Sequence, residues 1–218
     1  MPGGEVKFES ASIVLRGHFN PAIFQPSWFA AQGMLSREAV DAAEIQIISP
    51  QVTAFSVNEI DLQVTDDRFS IGTPDASAHE VMRDLVLGAF TVLRHTPLTM
   101  MGLNVTAHLQ CTSEEAWHKL GHAVSPKGFW GNLLVSPGTR SLVVQGERPD
   151  KRAGYVQVRV EPSLRVQPGV FVDVNDHFES GATEPGAGWP VFSEIIRAEW
   201  STSRDRATAL IEHIRAQV

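Results

Sequence analysis

The sequence contains a single cysteine, a single tyrosine and no long hydrophobic run. Because Cys111 has no second cysteine to pair with, disulfide-stapled secreted scaffolds are excluded. The longest apolar run, Leu85 to Leu93, has about half the length that a membrane span requires. The first residues show neither the basic region nor the apolar segment of a signal peptide. We therefore expect a soluble, cytoplasmic protein that has no membrane partner.

Positive charge is also scarce. The chain has 18 lysine and arginine residues against 25 aspartate and glutamate residues, a formal net charge of −7. This balance argues against a nucleic-acid partner bound through phosphate neutralisation. The densest basic group consists of Arg140, Arg148, Lys151 and Arg152. Acidic neighbours dilute this group, so we interpret it as a solvated hairpin tip and not as a phosphate site.

The composition is that of an ordinary folded protein, with 43% hydrophobic and 20% charged residues. A chain of 218 residues can bury one sizeable core, or the cores of two small units. We predict a single compact domain over residues 1–218. Subdomains over residues 1–111 and 112–218 remain the alternative.

One-sided strands dominate the pattern. In residues 155–161, Val156, Val158 and Val160 alternate with polar residues, which is typical of a strand with one buried face. The same alternation occurs in residues 60–64, 103–110, 141–145 and 170–175. Because short turns connect several of these segments, the pattern predicts an antiparallel sheet.

Helical segments are fewer. Apolar residues at three- and four-residue spacing predict helices after Ser77, after Thr112 and from Thr202 or Ser203 to the C-terminus. We expect Ser77 and Thr112 to cap the first two helices, and Ser201 and Thr202 to separate the last helix from the apolar segment before it. The predicted fold is therefore α+β, a mainly antiparallel sheet with helices on one face. Its two halves have a similar succession of elements.

Catalytic signatures are missing. The chain has no Gly-x-Ser-x-Gly elbow, no P-loop and no dinucleotide-binding glycine fingerprint, so we predict no cofactor. The histidines His118 and His122 would share one helix face and could bind a metal together with Asp176 or Asp173. Lys119 occupies the position where hydrolytic zinc motifs have glutamate, and the alternative is two surface histidines.

Cys111 also has two interpretations. It precedes a predicted helix start, where a thiol can be activated as a nucleophile. A lone cysteine at a strand end is also typical of a small buried apolar side chain.

The polar faces of the strands carry the remaining hypothesis. Gln157, Arg159, Asp173 and Asn175 would lie together on the sheet face that is not buried, although Asn175 and Asp176 are also typical of a turn. We expect a non-catalytic binding or assembly protein that uses this polar face or an edge strand. The partner would be another protein or a second copy in a homodimer. The alternative function is a metal-dependent hydrolase that uses His118, His122 and a carboxylate.

Overall fold

The computed structural model describes residues 3–182, 184 and 186–218, whose strands form one antiparallel sheet. The nine strands are β1 (Glu5–Gly17), β2 (Glu44–Ile48), β3 (Val52–Val57), β4 (Ile60–Thr65), β5 (Arg68–Thr73), β6 (Leu98–Gln110), β7 (Leu142–Glu147), β8 (Gly154–Pro162) and β9 (Gly169–Glu179). The five α helices are α1 (Pro26–Ala31), α2 (Arg37–Asp41), α3 (His79–Val92), α4 (Glu114–Val124) and α5 (Gly188–Arg215). Two single 3-10 turns, Pro21–Ile23 and Ala76–Ala78, complete the regular structure of these residues.

The two longest strands lie at the centre of the sheet. The strand order is β2-β3-β4-β5-β1-β6-β9-β8-β7, and every neighbouring pair is antiparallel. Strands β1 and β6 pair along nearly their whole length, from Glu5 opposite Gln110 to Gly17 opposite Leu98. The edges are therefore β2 on one side and β7 on the other.

The described α helices pack on one face of this sheet. Each contributes a buried side chain to the core between helices and strands: Phe29, Ala39, Met82, Leu120 and Ile196, from α1 to α5 in order. The predicted α+β fold with helices on one face is confirmed. We call the opposite side of the sheet the open face.

The order of elements repeats. From β1 to α3 and again from β6 to α5, a strand of 13 residues is followed by one or two shorter α helices, an antiparallel meander of four or three strands, and a longer helix. The halves meet where β1 pairs with β6. Because the second succession starts at β6, this strand groups with the second half.

The cores of the two halves differ in composition. The first is rich in aromatic side chains, and the rings of Phe24, Phe69 and Phe90 lie 5.1–6.0 Å apart. The second is built mainly from aliphatic side chains, such as Val172 from β9 and Ile211 from α5.

The C-terminal helix is continuous. We expected a break at Ser201 and Thr202, but α5 runs through both. Its buried stripe continues from Trp200 to Ser203 and Ala207, so packing against the sheet outweighs the weak local preference of serine and threonine. In the part of the chain that the structure describes, no helix combines the length and apolar character needed to cross a membrane.

Two predicted helix starts are shifted. Asp75, and not Ser77, caps the segment before α3: its carboxylate accepts the N–H of Ser77, and a 3-10 turn precedes the helix. At α4 the cap is Ser113 instead of Thr112, with its hydroxyl accepting the N–H of Ala116 at 3.1 Å. In each case a neighbouring residue of the same capping type makes the bond.

A buried ionic cluster joins β9 to α5. The carboxylate of Asp176 accepts hydrogen bonds from Arg148, Ser203 and Arg206. The side chain of Arg148 is only 1% exposed, so its assignment to a solvated hairpin tip is wrong. The turn expected at Asp176 is also wrong, because β9 continues to Glu179. Long-range pairing brings these charges together, and local sequence contains no signal for it.

Candidate functional site

Four neighbouring strands place hydrogen-bonding side chains in one row across the open face. Ser12 on β1 lies opposite Asn104 on β6, Asn104 lies opposite Asn175 on β9, and Asn175 lies opposite Gln157 on β8. Directly opposed side chains in an antiparallel sheet have Cβ atoms about 4.5–5.5 Å apart. The row therefore presents one hydroxyl and three amides as neighbouring donors and acceptors.

This row lines a cleft of about 510 Å³, which we call the polar cleft. Gly102 contributes to its lining. A Cβ atom at this position would lie 2.9 Å from Oδ1 of Asn175 and 3.2 Å from Oδ1 of Asn104. The absence of a side chain at Gly102 therefore leaves the space that these amides occupy.

Two of the three charged side chains that line the polar cleft, Arg16 and Asp173, are paired within the protein, whereas Arg68 donates to the hydroxyl of Ser70 at 3.4 Å and forms no ion pair in the described residues. Arg16 forms an ion pair with Asp67 at the edge of the cleft. Asp173 accepts a hydrogen bond of 2.9 Å from Nη2 of Arg159 on the neighbouring strand. The first pair is exposed and the second partly exposed, so water also screens both. Arg68 lies opposite Arg16, four residues along β1 from Ser12, so the groups within the row itself are one hydroxyl and three uncharged amides.

One amide oxygen lacks a partner. Oδ1 of Asn175 is buried, and no group in the described residues donates a hydrogen bond to it. The neighbouring amide is partly engaged, since Nδ2 of Asn104 donates to the hydroxyl of Ser12 at 3.3 Å. A buried polar atom without a partner is uncommon in folded proteins, and it marks a position where a ligand or water can bind.

An aromatic pair forms one wall of the polar cleft. The rings of Tyr155 and His177 are stacked, with centroids 4.4 Å apart and an interplanar angle of 19°. Burial lowers the pKa of His177, although the nearby carboxylate of Glu179 acts in the opposite direction. The lowered pKa favours the neutral ring, and the wall then presents a flat surface with little charge.

The structure brings together the residues that the strand pattern selected. Gln157, Asp173 and Asn175 line the polar cleft, and Arg159 lies beside it through its bond to Asp173. Local alternation alone did not single out Ser12, Gly102, Tyr155 or His177 as members of this surface. The alternation along β1 and β8 signalled the face of Ser12 and Tyr155, but only the register shows which strands are neighbours.

The predicted metal ligands are not brought together. His118 and His122 are exposed on α4, whereas Asp176 is buried in the ionic cluster with Arg148, Ser203 and Arg206. No group of three or more histidine, cysteine, aspartate or glutamate side chains is placed to hold a metal ion within residues 3–182, 184 and 186–218.

Two other reactive groups are engaged or buried. Ser163 lies 2.8 Å from Nδ1 of His108, but its hydroxyl also accepts the N–H groups of Arg165 and Val166. Because Ser163 is buried, its hydroxyl oxygen is not accessible as a nucleophile. Its hydrogen bonds instead stabilise the turn that follows β8. Burial raises the pKa of the Cys111 thiol to about 11, the direction opposite to activation.

Comparison with known proteins assigns neither a family nor a function to this chain. No protein-family model matches the chain, and no curated protein matches it. The residues of the polar cleft and their surroundings are therefore the basis for inferring a function.

Proposed function

We propose that this chain is a non-catalytic binding protein whose polar cleft holds a neutral, hydroxyl-rich small molecule such as a saccharide. The observation that carries the proposal is the row formed by Ser12, Asn104, Asn175 and Gln157. An amide both donates and accepts hydrogen bonds, as does a ligand hydroxyl. A row of amides therefore matches a ligand that has several neighbouring hydroxyl groups.

The charges around the cleft support a neutral ligand. Arg159 neutralises Asp173 and Asp67 neutralises Arg16, while Arg68, which has no ion pair in the described residues, lies opposite Arg16 and away from the row. A charged ligand would have to compete with these internal pairs. A neutral hydroxyl can instead exchange hydrogen bonds with the amides of the row, and a turn of the Asn175 amide toward the cleft would give its unpartnered Oδ1 a donor.

The size and shape of the cleft fit a small molecule. Its volume of about 510 Å³ lies within the range of about 300–1,000 Å³ typical of small-molecule sites. The flat pair of Tyr155 and His177 offers a surface against which the C–H face of a sugar ring can pack.

Calorimetric titration with a panel of neutral mono- and disaccharides tests this proposal. We expect at least one sugar to bind the wild-type protein with 1:1 stoichiometry and to be recovered chemically unchanged. Gly102→Ala is expected to weaken binding by roughly tenfold or more, because its Cβ displaces the two asparagine amides and removes at least one hydrogen bond.

The matched control is Gly146→Ala on β7, where an added Cβ meets no atom within 4 Å. This variant should bind sugar like the wild type. The proposal fails if no sugar in the panel binds, or if Gly102→Ala and Gly146→Ala bind a sugar equally well. Thermal melting of both variants separates loss of binding from loss of folding.

A second candidate function is self-assembly through the sheet edge β2. All five residues of this strand are exposed, among them Ile45, Ile47 and Ile48. An edge strand offers unpaired N–H and C=O groups, and exposed isoleucines add apolar contact area. We propose that a second copy of the chain pairs with this edge.

Light scattering tests the assembly. The wild-type protein should have the mass of a dimer, and Ile47→Lys should have the mass of a monomer because a buried lysine opposes pairing. Val81→Lys is the control, since Val81 is an equally exposed apolar residue on α3. A monomeric wild-type protein contradicts this candidate.

A further inference from the structure

The two halves of the molecule cover their meanders differently. In the first half, the helix-facing apolar side chains of β3, β4 and β5 are at most 5% exposed. They include Phe55, Leu62 and Ile71, and the buried rings of Phe24 and Phe29 pack over them. The side chains of the protein itself therefore fill the space between this part of the sheet and the segments that pack on it.

The second half leaves the corresponding space open. The helix-facing residues of β8 are Val156, Val158 and Val160, which are only partly buried. The edge strands do not differ in this way, since Ile45 on β2 is 57% exposed and Val144 on β7 is 56% exposed. The strand next to the edge is therefore completely buried on its helix-facing side in the first half (β3) and only partly buried in the second half (β8).

A cavity of about 430 Å³ occupies this space, and we call it the apolar pocket. Helix α4 forms one wall, the segment 136–139 another, and strands β7, β8 and β9 the floor. Its apolar lining includes Trp117, Leu120, Val124, Leu142 and Val160. It lies on the helix-covered face of the sheet, so it is separate from the polar cleft.

The connection between α4 and β7 does not fill the apolar pocket. Its large apolar side chains point to solvent: Phe129 is 77% exposed, Leu133 71% and Val135 98%. Protein interiors are normally close-packed, and an unfilled apolar cavity lowers stability. An occupant that buries the lining would remove this penalty.

The charged groups at the apolar pocket are already satisfied. Nζ of Lys127 donates to the carbonyl oxygen of Gly121 at 3.2 Å and also to Ser125 and Thr139. Glu161 accepts a hydrogen bond of 2.8 Å from the hydroxyl of Ser141 and contacts Arg159 at 3.5 Å. The N–H donors of Lys127 are thus engaged with neutral oxygen atoms, and Glu161 is paired with Arg159, so a ligand carboxylate would have to displace hydrogen bonds that Lys127 already makes.

We infer that the apolar pocket binds an uncharged, hydrophobic small molecule. The lining supplies buried apolar area, and the volume is that of a small-molecule site. The rim carries the hydroxyl of Thr139 and the rings of His118 and His122, which can hydrogen-bond one polar end of the ligand. The two histidines selected as metal ligands from the sequence thus lie at the entrance of a hydrophobic site.

Titration with the neutral fluorescent probe N-phenyl-1-naphthylamine tests this inference. We expect a saturable, blue-shifted fluorescence increase with 1:1 stoichiometry. The blocking variant is Gly121→Leu, because Gly121 lines the apolar pocket and an added Cβ meets no atom within 4 Å. Leucine also favours the helix more than glycine does, so the variant should fold. Its affinity for the probe should fall at least tenfold.

The control is Lys119→Leu, which adds the same side chain to an exposed position of α4 outside the apolar pocket. It should bind the probe like the wild type. The inference is overturned if probe fluorescence does not saturate, or if Gly121→Leu, with an unchanged melting temperature, binds as well as Lys119→Leu.

Competition resolves the charge of the ligand. 1-Decanol should displace the bound probe at lower concentration than decanoate, because a carboxylate would lose its hydration and would have to displace the hydrogen bonds that Nζ of Lys127 already makes. Stronger displacement by decanoate would overturn the assignment of an uncharged ligand. Displacement by the sugars of the saccharide panel would overturn the separation of the two sites.

Discussion

Replacing Asp176 by asparagine is expected to lower the free energy of unfolding by about 3 kcal/mol, because it removes the charge at the centre of a buried ionic cluster. The carboxylate accepts hydrogen bonds from Arg148, Ser203 and Arg206. Asparagine keeps the shape of the side chain, so the change isolates the charge from the volume.

The magnitude follows from the surroundings of Arg148. Its side chain is 1% exposed, and its guanidinium lies 3.7 Å from the ring centroid of Phe178, so water cannot replace the lost carboxylate. Loss of one partner from a buried pair costs about 3–5 kcal/mol. We choose the lower end because Asp150 still accepts a 3.0 Å hydrogen bond from Nε of Arg148.

Urea denaturation followed by circular dichroism measures this effect. The control is Asp173→Asn on the open face of the same strand, where the pair with Arg159 is partly exposed. Such a pair is worth about 1 kcal/mol or less. A loss of about 3 kcal/mol should lower the melting temperature by about 6–12 °C in a chain of this size. If both variants lose the same stability, the buried cluster does not contribute as we argue.

Three further experiments test other parts of the structure. Burial raises the pKa of Cys111 to about 11, so Ellman's reagent at pH 8 should react slowly with the folded protein and at once with the unfolded protein. Burial also lowers the pKa of His79 and His177. As the pH falls below about 6.5, these histidines therefore bind protons more readily in the unfolded state than in the folded state. The free energy of unfolding should consequently fall by up to about 1.4 kcal/mol per pH unit for each histidine. In the middle of the continuous helix α5, Ser201→Pro should cost about 3 kcal/mol or more, whereas a helix break at this position would tolerate it.

Each of these expectations has a contradicting result. Rapid labelling of one thiol in the folded protein would show that Cys111 is accessible. An unfolding midpoint that rises between pH 7.5 and pH 5.5 would reverse the sign of the histidine contribution, which His79→Gln should reduce. An unchanged stability of Ser201→Pro would mean that α5 is interrupted there.

Local patterns predicted the strands because period-two alternation is a property of the chain itself. Val156, Val158 and Val160 must share one face wherever the strand lies, and the structure places them toward the helices. The same logic placed Gln157 and Arg159 on the open face. Helix ends were predicted less well, because Asp75 and Ser77, or Thr112 and Ser113, are alternative caps of similar strength.

Contacts between distant segments had no local signal. Arg148 looks like a surface residue in its charged hairpin, and only the approach of Asp176 and α5 buries it. For the same reason local sequence could not place a carboxylate beside His118 and His122, since helical spacing says nothing about which strand lies below; the described residues form no group of three or more metal ligands.

The sequence by itself determined an α+β chain with one-sided strands, a polar sheet face and no disulfide, because alternation, composition and cysteine count are local quantities. Only the tertiary structure decided that Ser12, Asn104, Asn175 and Gln157 form one row, since strand register is set by long-range pairing. It also decided that phenylalanine side chains fill the space between helices and sheet in the first half, whereas the smaller valines of β8 leave a pocket in the second half. Packing against distant elements, and not local preference, determines where this fold leaves room for a ligand.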